Sequence, residues 1–172
     1  MSEDMSALMK ERVRDWFSRE GIKIESITNP KAEFVFKVKF QRFFFTVVRP
    51  NDKHYVQVES QILISQQHLQ KLTAEKMQEF QIKAMQFGWG QDISMGFIRP
   101  QPGKPGPQPP GPGFVVSDRI YDDTYSDDML WRTIRKLHSA VDMTISILNE
   151  VTGFVGTKEP EPPTDAGPSY YT

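Results

Sequence analysis

The sequence has no cysteine and only three histidines among its 172 residues. The lack of thiols excludes disulfide bonds, thiolate nucleophiles and cysteine-ligated zinc or iron–sulfur centres. His54, His68 and His138 are far apart and form no H-E-x-x-H motif, and there is no G-x-S-x-G elbow, P-loop or dinucleotide-binding fingerprint. We therefore predict a protein that is not an enzyme, with no cofactor and with no catalytic or metal-binding residues.

An excess of charge of one sign and long apolar runs are also lacking. The 21 basic and 22 acidic side chains leave a net charge of -1, so no overall field directs the chain to nucleic acid or to a membrane. No run has the length of a membrane-spanning helix, and the opening residues MSEDMSALMKERVRDW lack the apolar centre of a signal peptide. We expect a cytoplasmic protein without membrane association.

The spacing of apolar residues changes along the chain from helical to alternating and back again. The predicted segments are a helix over 4–20 ending at Gly21, a short strand over 22–27, strands over 33–41, 43–48 and 54–64, helical residues 66–87 capped by Ser65 with a break near Thr73, strands over 93–98 and 114–121, and a last helix from Ser126 to Gly153. This order predicts an α+β fold, with a mostly antiparallel, twisted sheet and three principal helices in the order α-β-β-β-β-α-β-β-α.

Proline and glycine are concentrated in two places, one between the last two strands and one after the last helix. Proline cannot donate to a strand ladder and glycine resists ordering, so the first of these cannot continue a strand. We predict a single α+β domain over residues 1–153, with a flexible insertion at about 99–113 and a disordered tail over 154–172.

The predicted hairpin leaves apolar side chains on the face of the sheet away from the main core. If Phe40 pairs with Phe43, then Val35, Phe44 and Val48 lie on that face, together with Tyr55 of the next strand. A shift of one residue would exchange the two faces. Val35, Phe44, Val48 and Tyr55 are our candidate protein-interaction surface, to be covered by a helix of the same chain, a second subunit or a client.

An acidic turn offers an alternative function. It spans residues 118–128 and contains Asp118, Asp122, Asp123, Asp127 and Asp128. Its carboxylates could line a small-molecule or enzymatic pocket or hold a hard cation, although the turn lacks the spacing of an EF-hand. A solvated turn leading into the first turn of a helix explains the same residues.

A basic hairpin offers a third function. Between Lys23 and Lys53, seven basic residues stand against three acidic ones, and the hairpin over 31–53 interleaves them with aromatic residues. Such a surface could stack single-stranded nucleic acid. Because most of these phenylalanines alternate into the core and no RNP motif is present, we do not expect nucleic acid as a partner.

Four pieces of sequence resemble a known fold family: ERVRDWFSREG, EFVFKVKFQRFFFTVVRP, ILISQQHLQKL and VVSDRIYDD. With the order of elements, they resemble the type III secretion chaperone-like α/β fold, and in particular an uncharacterised, mostly archaeal family assigned to it. The resemblance covers nearly all of residues 8–150. It implies a homodimer and a protein client bound in extended form over apolar patches, whereas the near-neutral charge and the insertion depart from those chaperones. We therefore predict a non-enzymatic protein-interaction module of a chaperone or adaptor type.

Overall fold

A computed structural model describes residues 2–99 and 111–154. Within these residues, the elements are α1 (Ser2–Arg19), β1 (Ile24–Ser26), β2 (Ala32–Phe40), β3 (Phe43–Pro50), β4 (Tyr55–Leu63), α2 (Gln66–Leu69), α3 (Ala74–Gly90), β5 (Ser94–Ile98), β6 (Gly113–Tyr121) and α4 (Asp127–Thr152). Most of the predicted insertion and all but the first residue of the predicted tail lie outside the described residues. Gly113 was assigned to the insertion but belongs to β6.

The strands form one open antiparallel sheet in the order β1-β2-β3-β4-β6-β5, which confirms the predicted α+β class. Phe40 lies opposite Phe43 and Val35 opposite Val48, so the predicted hairpin register is confirmed. The face of β2 and β3 that carries Phe36 and Phe45 is therefore the core face, and both rings are fully buried.

The helix boundaries follow from local signals in most places. Gly21 and Gly153 have φ values of 68° and 64°, and each ends its helix as predicted. The N–H of the next residue reaches back five positions in both cases, from Ile22 to the Phe17 carbonyl and from Phe154 to the Asn149 carbonyl, at 2.9 Å. These are Schellman motifs, which satisfy carbonyls that a helix end leaves unpaired.

The middle helical region is divided at Thr73, as the change of apolar stripe predicts. The Thr73 side chain accepts a hydrogen bond from the Lys76 N–H and caps α3. The helical stretch was predicted to reach Phe87, and α3 continues three residues further, to Gly90, so it ends within Gly88-Trp89-Gly90. Gly88 serves close packing, since a Cβ there would lie 2.7 Å from the Met95 sulfur.

The chain divides into two compact units, Met1–Glu59 with Asp118–Lys136 and Ser60–Ser117 with Leu137–Thr172. In the first unit, Phe40 packs edge-on against Trp131 of α4 at 5.3 Å, and Trp16 of α1 lies 6.0 Å from Trp131. In the second unit, the buried Phe80 ring of α3 packs against Phe97 and Phe114 at 5.7 and 6.1 Å. The single-domain organisation stays a prediction.

Candidate functional site

The outer face is defined here as the side of β2, β3, β4 and β6 in the first unit that points away from α1 and α4. Its side chains are Val35, Lys37, Lys39, Phe44, Thr46, Val48, Tyr55, Gln57, Glu59, Arg119 and Tyr121. The four residues of the predicted interaction surface are all on this face. Val35 and Val48 are only 1% and 4% exposed, however, while Phe44 and Tyr55 are half-buried. Val35 and Val48 are therefore covered by other residues of the same chain, and the four residues do not form one exposed apolar patch.

Two lysines border the Phe44 ring on the outer face. The ammonium groups of Lys37 and Lys39 lie 5.2 and 5.7 Å from the ring centroid, within the range of a cation–π interaction. Among residues 2–99 and 111–154, neither lysine forms an ion pair with a carboxylate. This end of the hairpin is therefore both cationic and aromatic.

A second aromatic group lies farther along the same face. The Tyr55 and Tyr121 rings meet edge to face at 5.9 Å, and the Arg119 guanidinium lies 4.7 Å from the Tyr55 centroid. Arg119 also donates to the Gln57 side-chain oxygen at 3.3 Å. Tyr121 remains 53% exposed, so its ring is available to solvent.

Glu59 is a carboxylate that the alternation of β4 assigns to the outer face but that is only 8% exposed. Burial raises the pKa of the Glu59 carboxyl, and a hydrogen bond from the Gln57 Nε2, at 2.9 Å, opposes the rise. Glu59 lies opposite Thr46, which in turn lies opposite Lys37. Glu59 thus exposes little of its carboxyl on the part of the face that carries Lys37 and Lys39.

The acidic turn is held by ion pairs with basic residues. Arg49 is 3% exposed; its Nη2 donates to Asp122 at 2.8 Å and its Nε donates to Glu33 at 2.6 Å. The hydrogen bonds from Arg49 lower the pKa of the Asp122 carboxyl. The further pairs are Asp118 with Lys136, Asp127 with Arg19, and Asp128 with Arg132. Within the described residues, no three histidine, aspartate or glutamate side chains converge on a possible metal position.

An open cleft of about 390 Å³ lies beside this turn. It is lined by Arg12, Asp15, Ser18, Arg19 and Asp127. The adjacent Tyr125 is buried, its hydroxyl has no hydrogen-bond partner among the described residues, and burial raises its pKa. Of the acidic turn, Asp127 alone is among these lining residues, and a small-molecule or enzymatic role for residues 118–128 stays a prediction.

The histidines do not form a common site within the described residues. His54 lies 3.7 Å from Asp122 in the first unit, whereas His68 is buried in the second. The His68 ring contacts the Ser65 hydroxyl and the Asn149 Oδ1, each at 2.7 Å. This arrangement joins the cap of α2 to the end of α4, so its role is structural.

An exposed apolar ridge on α3 was missed in the sequence. It consists of Ile82, Met85 and Trp89; Trp89 is 71% exposed, Ile82 49% exposed and Met85 half-buried. At 100° per residue, Ile82 and Trp89 lie about opposite the buried Phe80. Their spacing of seven residues, off the apolar stripe that contains Phe80, was the available signal. Among the helices within residues 2–99 and 111–154, none combines the length and apolar character that crossing a bilayer demands.

These features belong to an α+β protein with an open antiparallel sheet, in which Asp118, Asp122, Asp127 and Asp128 of the acidic turn pair with basic residues. Residues 9–148 match the model of a family described as an uncharacterised conserved protein, DUF2299. The chain belongs to this family, in agreement with the expectation of an uncharacterised family. No curated protein matches the chain.

Two solved structures are similar to this chain. The crystal structure of an uncharacterised protein from Methanothermobacter thermautotrophicus has a TM-score of 0.69 and 19% identity, over 82% of this chain and 96% of the other. This similarity shows the fold alone. YbjN from E. coli has a TM-score of 0.49 and 10% identity, over 81% of this chain and 88% of its own. The similarity to YbjN supports no inference about this chain.

Proposed function

We propose that the protein is a non-enzymatic protein-interaction module that forms a homodimer through the α3 ridge. The observation that carries this proposal is the exposure of Trp89 on a helix whose opposite side is firmly packed. Tryptophan is the residue type most enriched among the anchors of protein interfaces, because its large ring buries much area at a low entropic cost.

The neighbours of the ridge favour a second copy of the chain as the partner. Ile82 and Trp89 are separated by two helical turns, with the uncharged Gln78 and Gln86 beside them. The nearby charge of Lys83 is satisfied by Glu79 and Glu150, at 2.9 and 2.8 Å. Closed two-fold pairing is the commonest oligomeric arrangement, and the exposed Glu75, seven residues before Ile82, lies outside the span of the ridge.

The chaperone or adaptor type is the finer part of this proposal. It is supported by the resemblance of the sequence to the type III secretion chaperone-like fold. A client protein would bind in extended form. We propose the cytoplasm as the location of this protein. A stable interface needs about 800 Å² per partner, so surfaces beside the ridge would contribute to the dimer.

Light scattering coupled to gel filtration tests the dimer. The wild type should have twice the chain mass of 19.8 kDa. Ile82→Glu should shift it to the monomer, because a charge would be buried at the centre of the ridge. Leu8→Glu is the matched control, since Leu8 is 51% exposed on α1 against 49% for Ile82, and it should remain dimeric. A wild type that runs at the mass of one chain would contradict the proposal.

A further inference from the structure

We propose that the outer face binds single-stranded nucleic acid, with Phe44 stacking on a base and Lys37 and Lys39 contacting phosphates. This function uses other residues than the α3 ridge, so either proposal can fail without the other. Most phenylalanines of the hairpin do pack in the core, but Phe44 projects from the opposite side of β3.

The charges at this end of the sheet suit an anionic polymer. Lys37 and Lys39 occupy alternate positions of β2, so they share a face at a separation of about 7 Å. Arg42, exposed in the following turn, lies with its guanidinium 5.0 Å from the Phe43 ring centroid. Glu25, opposite Lys37 on β1, is the exposed acid of this row, whereas Glu59 is buried. Lys37 and Lys39 are thus two cations without a carboxylate partner among the described residues, although the whole chain carries -1.

The aromatic group and the cations work together in this arrangement. Both ammonium groups lie close to the Phe44 ring. A phosphate would attract these ammonium groups, and a base would stack on the part of the half-buried Phe44 ring that faces solvent. Every base has a flat π surface and every nucleotide a negative charge, so this pairing of an aromatic ring with cations does not depend on sequence.

The same combination recurs along the face at Tyr55, Tyr121 and Arg119. Val48 lies opposite Gln57, which places Tyr55 about six strand residues, roughly 20 Å, from Phe44. Arg119 supplies the cation at this second position and Tyr121 the exposed ring. A single strand of nucleic acid that follows β3 would contact both the Phe44 position and the Tyr55 position.

The location of these residues favours nucleic acid over an acidic peptide. β1 pairs with Phe36–Val38 of β2 and β4 pairs with Thr46–Val48 of β3, so a peptide strand added beside Lys37 or Thr46 would meet a backbone that is already paired. Binding across the face of a sheet, with bases on aromatic side chains, is a mode by which proteins hold single-stranded nucleic acid.

Fluorescence anisotropy with labelled oligonucleotides of about 12 nucleotides tests the proposal. Oligo-dT and oligo-U are compared with a duplex and a poly-glutamate peptide of the same length. The wild type should bind oligo-dT, oligo-U or both saturably, with an affinity that falls as salt rises. Comparison of oligo-dT with oligo-U distinguishes DNA from RNA as the ligand. Phe44→Leu should weaken binding about tenfold, the loss expected when one stacked base is no longer held.

Lys37→Gln/Lys39→Gln should reduce the slope of log affinity against log salt by about 1.4, from two lost phosphate contacts at ~0.7 each. Lys71→Gln/Lys76→Gln removes the same charge from the other compact unit and should leave the slope unchanged. Thermal melts verify that each variant is folded. Equal binding of the duplex, binding of the peptide alone, no saturable binding at roughly 50 mM salt, or an unchanged slope in the Lys37/Lys39 variant would each overturn the proposal.

Discussion

At the scale of single residues, alternation along a strand gives the direction of each side chain but not its burial. Val35, Val48 and Glu59 point to the outer face as their positions predict, yet all three are buried. Burial depends on neighbours from strands distant in sequence, and one chain segment carries no information about them. The sequence around Glu59, with valines and glutamines at alternate positions, therefore predicts an exposed side chain, although Glu59 is buried in the folded chain.

Glu59→Gln should stabilise the protein at pH 7 by about 1 kcal/mol, since an amide avoids the cost of burying a charge and can still accept from Gln57. Burial raises the pKa of Glu59 above its usual 4.5, so the folded state favours the protonated acid. The cost of ionisation is absent below the unfolded pKa and grows as pH rises through the folded pKa.

Urea unfolding of wild type and Glu59→Gln measures this difference from about pH 3, below the usual glutamate pKa, to about pH 8, well above it. The two stabilities should converge at the acid end and separate as pH rises. Glu25→Gln, at an exposed position, should show no such trend. A Glu59→Gln variant less stable than the wild type at pH 7 would show that the ionised carboxylate is favoured.

At the scale of elements, the features predicted from sequence are those that local chemistry determines. Gly21, Gly153, Thr73 and Ser126 act as the helix-end signals expected of them, the last accepting a hydrogen bond from the Met129 N–H at 3.1 Å. The helix α3 continues three residues beyond the predicted limit at Phe87, and Gly88 in its last turn packs against Met95 of β5, a contact that the sequence does not indicate.

Gln41 in the β2–β3 turn provides a test at this scale. Its φ is 54°, in the left-handed region that glycine adopts at no steric cost. Gln41→Gly should raise the free energy of unfolding by about 0.5 to 1 kcal/mol in a chemical denaturation experiment.

Arg42→Gly is the matched control for Gln41→Gly. Arg42 lacks the positive φ and its guanidinium lies 5.0 Å from the Phe43 ring centroid, so this variant should lose stability. Equal effects of the two variants would mean that the turn holds no strain at Gln41.

At the scale of the whole molecule, the order of elements and the hairpin register were predictable because apolar periodicity is strong in each segment. The partners of the acidic turn were not. Arg49 and Asp122 are separated by 73 positions in sequence, and nothing local to either residue indicates the other. The α3 ridge differs in this respect, because the seven-residue spacing of Ile82 and Trp89 off the Phe80 stripe indicated it locally, whereas their exposure depends on the packing of the whole chain.

The central claim, that Trp89 lies in a dimer interface, is tested most directly by its solvent exposure in solution. The protein labelled with 5-fluorotryptophan reports Trp16, Trp89 and Trp131 separately by ¹⁹F NMR, with Trp89→Phe identifying the resonance. In the wild type, the Trp89 resonance should show a small H2O/D2O isotope shift, and in Ile82→Glu the large shift of an exposed indole, since Trp89 is 71% exposed in the single chain. A large shift of equal size in both proteins would contradict the claim.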